Sequence, residues 1–99
     1  MATFYITEFA NIGRDQGQGV PATPLPPVAE QTLAIGAVSA QSGSFNPATN
    51  FIRAHADAAC SIAVGANPVA AAGNARMAAN QTEYFQVRPG DKLAVIQNS

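Results

Sequence analysis

Charge is scarce in this 99-residue chain. Only 11% of its residues are charged, and five basic residues nearly cancel six acidic ones, for a formal net charge of −1. Soluble domains average about 25% charged residues. Nucleic-acid binders gather Lys and Arg into a patch that displaces counterions from phosphates. This chain has a single lysine, Lys92, and no such patch, so no nucleic-acid partner is expected. Tryptophan is absent and Cys60 is the only cysteine. A lone cysteine forms no internal disulfide, which fits a reducing compartment. Long apolar runs are missing as well. A membrane span takes about 18 or more consecutive apolar residues, and stretches such as Ala75-Arg76-Met77-Ala78-Ala79 break far sooner, so no membrane partner is expected. Met1 leads almost at once into the alternating Thr3-Phe4-Tyr5-Ile6-Thr7, without the basic start and apolar block of a secretory signal. The expectation is a protein made and kept in a cytoplasm, in which Asn80-Gln81-Thr82 matches a glycosylation acceptor only by chance.

The length suits one domain over residues 1–99, with a core near the lower limit for a free-standing fold. Hydrophobic residues reach 47%, well outside the disordered class. Alanine makes up about one residue in five, yet it sits among β-branched residues, Gly and Pro, and no 3.6-residue period emerges. The only helix candidates, Ala70–Ala72 and Ala75–Ala79, are separated by Gly73-Asn74. With so few charges, Ala, Ser, Thr, Asn and Gln must fill most solvent-facing positions. Such a surface tolerates close neighbours, because few ions need desolvating. It points to life inside an assembly.

Period-two alternation marks the strands. Over Thr3–Phe9, Phe4 and Ile6 face one way and Tyr5, Thr7 and Phe9 the other. Residues 31–38 alternate around Leu33 and Ile35, and the chain then either continues past a bulge at Gly43 or starts again. Asn46-Pro47-Ala48-Thr49-Asn50 is a turn. Phe51–Ala56 and Cys60–Gly65 alternate cleanly and are expected to form an antiparallel hairpin through Asp57-Ala58-Ala59, with Cys60, Ile62 and Val64 sharing a face. Val69–Ala72 and Arg76–Ala78 are short strand candidates. Thr82–Val87 and Lys92–Ile96 are expected to form a second hairpin through Arg88-Pro89-Gly90-Asp91, whose central Pro-Gly suits a type II turn. The expected fold is all-β: a small antiparallel β-sandwich or barrel of jelly-roll or immunoglobulin-like kind, with an extended proline-rich arm.

That arm falls in residues 11–30, read as a Gly/Pro-rich loop. Val20-Pro21-Ala22-Thr23-Pro24-Leu25-Pro26-Pro27-Val28 carries four of the seven prolines, which favour polyproline II and exclude a central strand. An already stiff segment loses little entropy on docking. Val20, Pro21, Pro24, Leu25, Pro26, Pro27 and Val28 are therefore candidate partner-binding residues, with Leu25 and Val28 supplying apolar contact. The formal PxxP in Pro21–Pro24 lacks the close basic residue of signalling ligands.

Catalytic constellations are weak. Cys60, His55 and Asp57 could be written as nucleophile, base and orienter, but Cys60 shares its alternation with Ile62 and Val64, which makes it a buried packing residue. One His and one Cys cannot supply the three or four ligands of a zinc site, and no cofactor is expected. Gly13, Gly17 and Gly19 lack the strand–loop–helix setting and the Lys-Ser/Thr ending of a phosphate loop. The carboxylates are scattered, and Arg53 is expected to pair at the surface with Asp57 or Glu83.

Three stretches carry a resemblance: Met1–Phe9, Phe51–Pro68 and Arg76–Ile96. Together they look like small proteins encoded in the structural gene clusters of tailed bacteriophages. The resemblance implies a virion component made in the host bacterial cytoplasm. The small size suggests a capsid decoration or cement protein whose partner is the major capsid protein. A homo-oligomer fits that role, and a trimer would suit the threefold sites of an icosahedral shell. The resemblance supplies no catalytic residues. A head–tail connector or tail component, a host-directed binding module using the proline segment, and an enzyme are the competing readings.

Overall fold

The computed structural model describes residues 2–10, 14–15, 18–19 and 27–98. Ten strands occur among them: β1 (Thr3–Phe9), β2 (Arg14–Asp15), β3 (Gln18–Gly19), β4 (Ala29–Ala34), β5 (Ala40–Gln41), β6 (Phe51–Ala56), β7 (Cys60–Gly65), β8 (Ala75–Met77), β9 (Gln81–Gln86) and β10 (Lys92–Gln97). No described residue is helical, so none forms a helix able to cross a membrane. The strands build two four-stranded antiparallel sheets, ordered β4-β1-β6-β9 (sheet 1) and β5-β10-β7-β8 (sheet 2), and the small pair β2-β3. The architecture is a sandwich rather than a barrel.

Alternation puts the apolar residues of β1, β6, β7, β8 and β10 into the space between the sheets. Sheet 1 contributes Phe4, Ile6, Ile52, Ala54 and Ala56, and sheet 2 contributes Cys60, Ile62, Met77, Leu93 and Val95. Ile35, Phe45 and Val87, from the connections, close the ends. Each large apolar side chain in this layer stabilises by roughly 1.5–3 kcal/mol on burial. Gly65 and Val64 lie past the edge of the layer, and Val64 is exposed although it shares the alternation of Cys60 and Ile62.

Neither expected hairpin forms. Phe51–Ala56 pairs with β1 and β9, whereas Cys60–Gly65 pairs with β10 and β8 in the opposite sheet. Likewise β9 pairs with β6, and β10 pairs with β7 and β5. Residues 57–59 and 87–91 are crossings between layers. The reason is burial. In the first pair, Ile52, Ala54 and Ala56 on one strand and Cys60 and Ile62 on the other are apolar inner rows that cover each other face to face, and in the second, Phe85 of β9 meets the layer that holds Leu93 and Val95 of β10. The turn chemistry itself is as read. Asp91 N donates to Arg88 O at 3.2 Å and Gly90 has φ of 86°, as a type II turn requires. Thr49 N donates to Asn46 O at 2.9 Å, and Asn46 Oδ1 accepts from Ala48 N at 2.9 Å.

Successive connections change sheet at β4–β5, β5–β6, β6–β7, β8–β9 and β9–β10. This winding is the jelly-roll pattern. Here β1 lies between β4 and β6, the slot a last strand fills in the usual jelly-roll order. The ends of the chain accordingly meet. Ile35 N donates to Ala2 O at 2.9 Å, and Gln97 N donates to the adjacent Gly36 O at 2.9 Å.

Three local departures follow from packing. The strand expected over 31–38 runs instead as Ala29–Ala34, so the last two positions of the 11–30 loop are strand. Val69–Ala72 is not a strand; it belongs to a loop laid across sheet 2. The short strand near Arg76 spans Ala75–Met77, with Met77 buried.

Candidate interaction face

The outer faces of the two sheets differ. Sheet 2 is lidded by its own chain. The loop between β7 and β8 lies over it, with Ala70 4% exposed. Its backbone is tied down at several points. Gln41 Nε2 donates to Asn67 Oδ1 and Pro68 O, both at 3.0 Å, and Ala70 N donates to Ser39 Oγ at 2.9 Å. Asn98 Nδ2 donates to Ser61 Oγ at 2.7 Å and to Ala72 O at 3.2 Å. Beneath this lid Ser61 and Ala94, which point away from the core, are fully buried.

Sheet 1 has no such cover among the described residues. Its register builds the outer face row by row. Thr32, Tyr5, His55 and Thr82 stand side by side across β4, β1, β6 and β9. The next row is Glu30, Thr7, Arg53 and Tyr84. A third holds Phe9, Phe51 and Gln86. Tyr5 is 42% exposed and Tyr84 57%. Phe9 is buried although it faces outward, and it stacks on Phe51 with ring centroids 5.2 Å apart. Tyrosine and arginine dominate the energetics of protein contacts, since a large stiff amphipathic surface loses little entropy when held.

His55 is the best-anchored polar group on the face. Its Nδ1 lies 2.7 Å from Thr82 Oγ1, its Nε2 lies 3.7 Å from Asp57 Oδ1, and its ring leans on Tyr5 at 6.2 Å. Arg53 behaves differently from expectation. It makes no ion pair with Asp57 or Glu83 among the described residues. Asp57 is taken by His55, and Glu83 is aligned with the inward-facing Ala54, on the other side of the sheet. Arg53 stands half-buried on the outer face of sheet 1.

The nucleophile arrangement is not assembled. His55 is on the outer face of sheet 1, while Cys60 is fully buried in sheet 2. Burial raises the Cys60 thiol above its ordinary value of 9.0, and nearby Arg76 opposes this less strongly. A protonated, enclosed thiol is a poor nucleophile. Among the described residues no three His, Cys, Asp or Glu side chains cluster as metal ligands would.

Of the proposed arm residues, Val20, Pro21, Pro24, Leu25 and Pro26 lie outside the described residues. Pro27 is half-buried, and Val28, 36% exposed, is fastened to the body by its N–H on Glu8 O at 2.8 Å. Sequence reasoning missed the open face. Alternation sends Tyr5 and Thr7, and separately Arg53 and His55, away from the core. Only the register of β1 against β6 and β6 against β9 brings them together with Tyr84.

Comparison with protein-family models, with curated proteins and with solved structures found no match to the chain.

Proposed function

We propose that this protein is a non-catalytic adhesive subunit of a larger particle. One observation carries the reading: one face of the sandwich is closed by the chain's own loop, while the other, with no such cover among the described residues, presents exposed Tyr5 and Tyr84 beside half-buried Arg53 and His55. The sparse charge supports it, since a surface with few ions is cheap to desolvate against neighbours. The finer reading comes from the resemblance to small tailed-bacteriophage proteins. The particle is then a virion, and the protein decorates or cements the outside of the major capsid protein shell as a homo-oligomer. Jelly-roll sandwiches are used in viral particles, which is an analogy of fold alone.

Quantitative mass spectrometry of particles purified from the producing cells tests this. A shell decoration gives on the order of hundreds of copies per particle, and a connector about a dozen, as the symmetry of each location dictates. A chain that never sediments with particles contradicts the reading.

A further inference from the structure

We infer that the occupant of the open face of sheet 1 is the same face of a second copy of this chain. The inference rests on the adhesive reading and names its partner. It is carried by charge placement about β1. Thr7 lies beside Glu30 on one side and Arg53 on the other, at one level of the sheet. Tyr5, two residues before it, lies between Thr32 and His55. A twofold axis lying in the contact plane along β1 exchanges the positions of β4 and β6. It therefore sets each Arg53 opposite the partner copy's Glu30, twice per pair. The same operation brings Tyr5 onto Tyr5 and Thr7 onto Thr7 at the axis, and sets His55 opposite Thr32. No like charges meet.

An isologous contact requires a patch that complements itself, and opposite charges flanking a neutral column satisfy that. Glu30 is exposed and Arg53 half-buried, and neither has an ion-pair partner among the described residues. The rest of the outer face adds little opposition, because Thr32, Tyr5, Thr7, Thr82, Tyr84 and Gln86 carry no charge. Strands about 4.8 Å apart with about 3.4 Å per residue make overlap across β4, β1 and β6 small, in the class of transient contacts below about 1,200 Å² in total. The pair is accordingly weak in dilute solution, and is strengthened when copies are held side by side on a particle.

Sedimentation equilibrium over a wide range of protein concentration tests the pairing with three variants. Arg53→Glu and Glu30→Arg each place like charges together, and each weakens self-association by about tenfold or more. The double variant Arg53→Glu/Glu30→Arg rebuilds both pairs with the signs exchanged. It returns to within about threefold of the natural chain. Both positions lie on the outer face of the sheet, away from the core, and far-UV circular dichroism confirms that each variant is folded. A strictly monomeric natural chain, or a double variant no better than the singles, overturns the inference. Co-sedimentation with purified particles separates it from the adhesive reading. A monomeric chain that still rides on particles removes the second copy as occupant and keeps adhesion. A chain that pairs but always sediments alone keeps the pairing and removes the particle.

Discussion

Glu8 is the residue whose environment says most about how this small core is held. It alternates with Phe4 and Ile6, so its side chain points inward, and it is 1% exposed. Its carboxylate accepts from Asn46 N and Thr49 Oγ1 at 2.8 Å through Oε1, and from Gln31 Nε2 at 2.9 Å through Oε2. Gln31 Oε1 in turn accepts from Gly43 N at 2.9 Å. One buried carboxylate thus pins the 42–50 connection to sheet 1 by hydrogen bonds. Glu8→Gln turns one acceptor into an NH₂ group that meets the Gln31 amide donor. It is expected to lower stability by about 1–3 kcal/mol, read by urea denaturation. Cys60 gives a second prediction. Its folded pKa lies above the unfolded value, so stability is flat below the unfolded thiol's pKa. It declines as the pH rises from there through the folded value, because only the unfolded chain then releases its proton. Cys60→Ala removes this alkaline decline at a packing cost of about 1 kcal/mol. The measurement is unfolding free energy against pH for both chains.

Turns and crossings decide the element scale. Gly90 has φ of 86° and Asn80 has φ of 61°, the left-handed region. Gly90→Ala is expected to cost about 1 kcal/mol or more, whereas Asn80→Gly is close to neutral, since glycine takes that conformation without a Cβ penalty. Thermal unfolding of the two variants checks the contrast. Deleting Val20–Pro26 is expected to leave the sandwich folded and to weaken attachment to particles, scored by far-UV circular dichroism and co-sedimentation. Strand positions were legible in the sequence because burial between sheets imposes period two on Phe4/Ile6, Ile52/Ala54/Ala56 and Leu93/Val95. Pairing was not. Three residues, Asp57–Ala59, can close a hairpin or carry the chain from one layer to the other, and nothing in their composition distinguishes the two. The lid over sheet 2 was hidden for a similar reason. Val69–Ala72 is apolar enough to be a strand, and what holds it flat is Gln41 and Asn98, distant in sequence.

At the scale of the molecule, a lidded face contrasts with one that has no cover among the described residues. Sheet 2 spends its outward side on the β7–β8 loop, so the proposed contact with other molecules is assigned to sheet 1. The meeting of the chain ends at Ile35 and Gly36 is a second global feature. Joining the ends with a short glycine linker is expected to preserve the fold and raise the thermal midpoint, because the closed chain has less entropy to lose. A linked chain that unfolds at a lower temperature than the open one would contradict the placement of β1 beside the end of β10.

The central claim is contact through the bare face, and hydroxyl-radical footprinting of the chain, isolated and in its native particle, tests it most directly. Tyr5 is predicted to lose most of its reactivity in the particle, while Val69 on the lid of sheet 2, 73% exposed, keeps its own. Undiminished reactivity at Tyr5, with protection at Val69, would contradict the account.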